Sequence, residues 1–140
     1  MRILFSKLSL FTFLYLLSSC NKEICECKNI KYDGKHTTLD DKKFTGICKT
    51  VYKNEAVRSI RQYYKGLDHG EWKFFFENGQ LQTLGTFNKG VRVGQWEYFY
   101  KNGAKWKLQS YNNKGEKSGR WQTYDLNGLL LKEDIYLETP

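Results

Sequence analysis

The sequence predicts an all-β fold, an elongated, twisted antiparallel sheet of successive β-hairpin repeats with a period of 24–25 residues, preceded by a signal peptide and a short tether. Three observations predict it. A phrase that starts Gly-x-Trp and leads to Asn-Gly occurs at Gly70-Glu71-Trp72 to Asn78-Gly79, at Gly94-Gln95-Trp96 to Asn102-Gly103, and at Gly119-Arg120-Trp121 to Asn127-Gly128. The tryptophans stand 24 and then 25 residues apart, too far for a heptad and suited to one supersecondary unit per repeat. Aromatic residues make up 16 % of the chain and the single proline is Pro140, a composition that favours uninterrupted sheet.

At the N-terminus, Arg2 and Lys7 precede an apolar run from Leu8 to Leu17 that closes on Leu17-Ser18-Ser19-Cys20. A run of roughly 10 apolar residues is too short to span a bilayer, which takes ~20, and has the basic start and small-residue end of a secretory signal. The segment resembles a bacterial lipoprotein signal at residues 1–19, with Cys20 as the lipidated first residue of the mature chain. The thiol is the group there that accepts a diacylglyceryl thioether, and two or three acyl chains make a lasting anchor. Removing residues 1–19 leaves 121 residues, the size of one domain, with 21 basic and 15 acidic side chains and a net charge of +6. A basic surface suits an anionic lipid or glycan surface or an acidic protein, and an envelope address argues against nucleic acid.

Three cysteines follow Cys20, namely Cys25, Cys27 and Cys48, so at least one stays unpaired within a monomer. An oxidising envelope favours a bridge from Cys25 or Cys27 to Cys48, tying the N-terminal segment to the first repeat; three free thiols are the alternative. No metal site is expected, because Cys-x-Cys with one distant cysteine lacks zinc spacing and His36 and His69 are out of register with it.

Residues 20–43 read as a tether and entry segment, polar from Asn21 to about Lys35. The repeat domain follows at residues 44–140, in units of about 46–69, 70–93, 94–118 and 119–140. In the first unit Cys48 holds the tryptophan position and Asn54-Glu55 replaces Asn-Gly, and a one-residue insertion falls in Asn112-Asn113-Lys114-Gly115. Within a unit, Asn78-Gly79 suits a two-residue type I′ turn, which pairs Glu77 with Gln80, Phe76 with Leu81, Phe74 with Thr83 and Trp72 with Gly85. Alternation then sets Trp72, Phe74, Phe76, Leu81 and Phe87 on one face, with Lys73, Phe75, Glu77, Gln80, Gln82 and Leu84 on the other. Across units three lanes run: Trp72, Trp96 and Trp121; Tyr63, Phe87, Tyr111 and Tyr136; and, on the opposite face, Ile60, Leu84 and Leu108. Gly85, opposite Trp72, is expected to make room for that ring, and its equivalent in the next unit is Gln109. Lys65-Gly66, Lys89-Gly90 and Lys114-Gly115 mark the second turn of each period.

From about Gly46 to Tyr136 these phrases resemble the MORN-repeat-variant family, whose units carry a Gly-x-Trp start, aromatic residues and then Asn-Gly before a second strand. The resemblance implies a ribbon of β-hairpins used as a scaffold or binding surface rather than as an enzyme. Some members are labelled antitoxins, a role at odds with a lipid-anchored chain. Cys48, Glu55 and Asp125, which stands where an aromatic is usual, are departures in the terminal units, where capping repeats differ.

No catalytic constellation is present: His36 and His69 are the only histidines, Asp40-Asp41 precedes Lys42-Lys43 in a polar stretch, and no nucleophile elbow, metalloprotease helix or phosphate loop occurs. No cofactor is implied. The expected function is that of an envelope lipoprotein, periplasmic or surface-exposed, anchored to the membrane and binding a protein partner. The candidate face is Trp72, Phe74, Phe76, Trp96, Tyr98, Tyr100 and Trp121, and on this reading Trp96→Ala abolishes binding with little loss of fold. The competing readings are a membrane or anionic-glycan contact through a rim of Lys89, Arg92, Lys114, Lys117 and Arg120, and an antitoxin or immunity-like protein. Nothing in the sequence sets an oligomeric state.

Overall fold

The computed structural model describes residues 24–27 and 29–137. The signal segment and Cys20 lie outside the described residues, as does the side chain of Cys25. Among the described residues there are twelve strands and no helix: β1 (Ile24–Glu26), β2 (Ile30–Tyr32), β3 (Thr37–Leu39), β4 (Lys42–Lys43), β5 (Gly46–Val51), β6 (Val57–Tyr64), β7 (Leu67–Phe75), β8 (Leu81–Asn88), β9 (Val91–Phe99), β10 (Lys105–Tyr111), β11 (Gly119–Tyr124) and β12 (Leu130–Tyr136). Strands β5 to β12 follow one another as an open antiparallel meander, β1 adds to the β5 edge in parallel, and β2, β3 and β4 form a separate three-stranded meander.

The repeat expected from sequence is the architecture found, but the two-residue type I′ turn is not at Asn-Gly, where it was expected. The two-residue type I′ loops are the lysine–glycine pairs, where Lys65 and Gly66 lie at φ +50° and +81°, Lys89 and Gly90 at +48° and +89°, and Tyr64 pairs with Leu67 and Asn88 with Val91. The Asn-Gly tips are three-residue loops. Phe76 O accepts Gly79 N–H at 2.9 Å and Phe76 N–H reaches Gln80 O at 2.8 Å, with only Gly79 in the left-handed region, the pattern of a type I turn followed by a G1 bulge. Phe76 therefore faces Gln80 rather than Leu81, and Leu81 faces Phe75, which takes it out of the expected lane. One extra residue on the return strand, Gln82, restores the expected frame, so that Phe74 faces Thr83 and Trp72 faces Gly85. The insertion at Asn113 converts the third lysine–glycine turn into the same three-residue form, closed by Asn112 O to Gly115 N–H at 3.0 Å.

The Gly-x-Trp phrase is a second bulge, not a turn. Between Arg61↔Trp72 and Tyr63↔Asp68, β7 carries two more residues than β6; between Leu84↔Glu97 and Thr86↔Val93, β9 carries two more than β8. The glycine of each phrase takes positive φ there. The bulge turns each tryptophan back over the preceding strand, where its indole N–H donates to Gln62 O (2.9 Å), Thr86 O (3.3 Å) or Ser110 O (2.9 Å), carbonyls spaced one period apart. A buried indole N–H thus keeps a partner.

Gly85 consequently serves a different tryptophan from the one expected. A Cβ on Gly85 would overlap the indole of Trp96 on β9, which supplies the three atoms nearest to it, although Trp72 on β7 is its ladder partner. Trp96 is 3 % exposed, whereas Trp72 and Trp121 are half-buried. The residues beneath explain the difference: Trp72 is paired with Arg61, whose guanidinium carbon lies 5.5 Å from the ring centre, and the β10–β11 register carried one step further sets Gln109 beside Trp121. A long side chain under the ring holds it out, and glycine lets it sink.

The tether expectation is corrected over residues 24–43. β1 is hydrogen-bonded into the sheet edge, Cys27 is disulfide-bonded to Cys48 with Cα atoms 5.4 Å apart, and the β2–β4 meander is stitched to the first lysine–glycine turn by Thr37 N–H to Gly66 O (2.8 Å) and Gly66 N–H to Phe44 O (2.7 Å). Phe44, Cys48 and Tyr63 form the buried core, with Cys27, Ile30, Leu39 and Trp72 packed against it. Three-residue strands rich in charge carry no periodicity, so only these long-range contacts reveal them.

Candidate functional site

One long edge of the ribbon carries the Asn-Gly tips and the other the lysine–glycine turns, as a meander requires. At the tips, Asn54, Asn78 and Asn102 each accept, on their side-chain oxygens, the backbone N–H two residues on (3.1–3.2 Å), which stabilises the loop locally. The residue closing each loop is aromatic in three units, Tyr52, Phe76 and Tyr100. The phenols of Tyr52 and Tyr100 donate to the next hairpin at Phe75 O (2.7 Å) and Tyr124 O (2.9 Å), and Asn78 Nδ2 donates to Lys101 O at 3.1 Å, so neighbouring tips are tied together. At the last tip Asp125 replaces the aromatic, accepting Asn127 and Leu129 N–H at 2.8 Å each. That polar finish accounts for the departure noted there.

Between the second and third hairpins the tips enclose an open groove of about 530 Å³ lined by Phe76, Tyr98, Phe99, Tyr100 and Trp106, with Gln82, Thr83 and Lys101 supplying polar groups. Trp106 is 38 % exposed, with its ring centre 6.3 Å from that of Tyr98 and 6.1 Å from that of Tyr100. Burial raises the pKa of the Tyr98 phenol, partly offset by Arg92, so this group stays neutral at physiological pH and presents a hydroxyl rather than a charge. The groove offers planar apolar surfaces with a few hydrogen-bonding groups and a cation at Lys101, equipment for recognition. Among the described residues no three His, Cys, Asp or Glu side chains are grouped as a metal ion would need.

Of the seven residues expected on the binding face, the structure gathers Phe76, Tyr98 and Tyr100 at this groove. Phe74 lies half-buried in the row Ser59, Phe74, Thr83, Tyr98. Trp72, Trp96 and Trp121 belong instead to an edge-to-face ladder that holds the ribbon together, with ring separations of 5.6 Å for Tyr63–Trp72, 4.7 Å for Trp72–Phe87, 5.0 Å for Phe87–Trp96, 5.3 Å for Tyr111–Trp121 and 5.5 Å for Trp121–Tyr136. Trp96 is thereby a buried structural residue, and truncating it removes support from the fold before it removes any contact surface.

The basic rim divides likewise. Arg92 stacks on Trp96 and Lys117 on Trp121, each at 4.5 Å, Lys117 also faces Tyr136 at 5.0 Å, and Arg120 approaches Glu133 at 3.6 Å. Lys89 and Lys114 lie exposed in the turns, and His69 Nδ1 accepts the Lys89 backbone N–H at 3.3 Å, a turn-bracing role for that histidine.

Trp106 and Phe99 were missed from sequence. A signal for Trp106 existed: it is the one tryptophan outside the Gly-x-Trp lane, and its column one period apart reads Arg58, Gln82, Trp106, Leu131. These are the extra residues of the return-strand bulges. Trp106 is the aromatic of this column, at a position that the backbone pushes out of register.

No curated protein and no solved structure matches the chain. The family model described as MORN repeat variant matches residues 68–89 and 92–113, which cover β7–β8 and β9–β10 except for Leu67 and Val91 and include the groove residues. The second and third hairpins are thus similar to MORN repeats of the variant type.

Proposed function

We propose that the chain is a non-enzymatic envelope lipoprotein, anchored through Cys20, whose MORN-variant ribbon binds a protein partner in the Phe76–Tyr98–Tyr100–Trp106 groove. The open aromatic groove carries the reading: rigid rings with little rotamer entropy to lose, flanked by hydrogen-bonding groups, are the anchor chemistry of protein interfaces. The Leu-Ser-Ser-Cys20 sequence supports the anchor.

The test introduces a photo-crosslinking residue at Gln82, on the groove wall, in the full-length protein in its own cells; irradiated cells identify the neighbour by affinity capture, and an unirradiated capture, whose contacts are non-covalent, is washed at low and then high salt. One protein crosslinked at Gln82, held through high salt and lost on Trp106→Ala, is the expected result. Thermal unfolding of Trp106→Ala beside the wild type, with capture at a temperature where both are folded, separates loss of binding from loss of fold. Metabolic labelling with a fatty-acid analogue, abolished by Cys20→Ser, tests the anchor separately.

A second reading rests on the position of Lys89 and Lys114, exposed on the long edge opposite the groove. It assigns contact with an anionic lipid or glycan surface to that rim. Retention of polyanionic material alone, released as the Debye length falls from ~10 Å at 0.1 M salt to ~3 Å at 1 M, would replace the protein-partner reading with this one.

A further inference from the structure

The two ends of the ribbon are finished differently. The first unit is covered by the β2–β4 meander and the disulfide and ends in the three-residue edge strand β1, whereas among the described residues the opposite edge is the seven-residue strand β12. Exposed apolar side chains concentrate at that end: Leu129 at 65 %, Leu131 at 62 %, Ile135 at 62 % and Leu137 at 85 %. A free strand edge with apolar flanks is a template for another strand.

We propose that β12 is a homodimer interface, at which the β12 edges of two copies pair antiparallel about a two-fold axis centred on Glu133. The strand sequence is self-complementary in that register. Lys132 faces Asp134 of the second copy, a pairing that occurs twice, and the Leu131 bulge at the end of the ladder is set beside Ile135. Centring one residue further along would replace both Lys132–Asp134 pairs, setting Lys132 opposite Tyr136 and Asp134 opposite itself, which disfavours it. Lys132 and Asp134 already lie 2.7 Å apart within one chain, so they share a face and can exchange partners with a second copy. The two Glu133 residues meet at the axis, but each is engaged within its own chain by Gln122 Nε2 at 2.6 Å and by Arg120 at 3.6 Å. An isologous contact of this kind closes on itself and buries both free edges at once.

Sedimentation velocity of the full chain over a concentration series tests this, with thermal unfolding of every variant as the control for folding. The expected species is a discrete dimer. Lys132→Asp, which opposes like charges twice, weakens it about tenfold or more, and adding Asp134→Lys to that variant restores it, because the swapped pair is again complementary. Oxidation of Glu133→Cys gives a crosslinked dimer above the wild-type background, since residue 133 faces its own copy, whereas Leu131→Cys, four residues out of register with its own copy, does not. A monomer at all concentrations, open-ended growth, a dimer indifferent to Lys132→Asp, or crosslinking at 131 in place of 133 would each overturn the proposal.

Discussion

Replacing Gly85 with alanine adds one carbon at the point where the ribbon has no room for it. Gly85 has ordinary extended backbone, so the substitution carries no conformational penalty and its effect is purely steric. The added Cβ overlaps the six-membered part of the Trp96 indole, which must lift off the strand. Overpacking of this kind costs about 1–3 kcal/mol. The lift also stretches the 3.3 Å hydrogen bond from the indole to Thr86 O, worth about 1 kcal/mol, so the expected loss lies in the upper part of that range. At roughly 4 °C per kcal/mol for a domain of this size, the thermal midpoint falls by about 8–12 °C. Urea unfolding followed by tryptophan emission measures the loss, and acrylamide quenching reports whether one buried indole has become accessible. In a double-mutant cycle with Trp96→Ala, itself costing about 3–5 kcal/mol, the second substitution should add little, because the ring that clashed is gone. A Gly85→Ala protein within about 0.3 kcal/mol of wild type and with unchanged quenching would refute the placement of Trp96 over Gly85. A cycle with fully additive costs would refute it independently.

Three further perturbations have signed outcomes. Cys27→Ser opens a disulfide that closes a loop of 21 residues, and chain entropy sets its loss at about 3 kcal/mol, read by urea unfolding of oxidised samples, while dithiothreitol should bring the wild type to the same stability. Lys89→Asn relieves a left-handed residue at φ +48° in a type I′ turn and should raise stability by about 0.5–1 kcal/mol in the same assay, with no contact changed in the core. Asp68 is held above the usual carboxylate range by burial, with Arg61 partly opposing. A raised folded-state pKa means that its contribution is fully present below the unfolded value, near 3.9, and is lost as pH rises through the folded one. Asp68→Asn should therefore melt higher than wild type at pH 7, and the gap should close below about pH 4.

The period, the lanes and the open antiparallel sheet were legible because the same residue types recur at the same offsets, and each copy tests the others. Turn type was not legible, for a specific reason. Asn-Gly suits both a type I′ loop and a type I loop with a G1 bulge, and the two differ by one residue in the loop. The extra residue at Gln82 compensates for that difference, so Trp72–Gly85 and Phe74–Thr83 pair either way, and only Leu81 and the tip residues expose the error. The partner of Gly85 was hidden in the same way. Strand β8 has a tryptophan-bearing strand on each side, and it is the two-residue bulge in β9, invisible to alternation, that swings Trp96 rather than Trp72 onto the glycine. The N-terminal strands were missed because their two or three residues are too few for any period to emerge.

The candidate groove was harder to read than the fold because a repeat reports its own scaffold most loudly. The recurring tryptophans, taken from sequence as the contact face, turn out to be the ladder that holds successive hairpins in register, and their indole donors are consumed by backbone carbonyls one period apart. What distinguishes one unit from the next is carried by the bulge column: Arg58 lies 5.8 Å over the ring of Tyr52, Gln82 is polar, Trp106 builds the groove and Leu131 flanks the free edge. The backbone supplies an outward-facing position at every return strand whether or not the side chain there is useful. Specificity can therefore change at that column without disturbing the ladder beneath it. In a ribbon with one thin layer and few buried residues, that separation lets the same framework tolerate an arginine, a glutamine, a tryptophan or a leucine at equivalent places. On the proposed function, the residue that breaks the repeat, Trp106, rather than those that make it, is the one to substitute when contact with another molecule is tested.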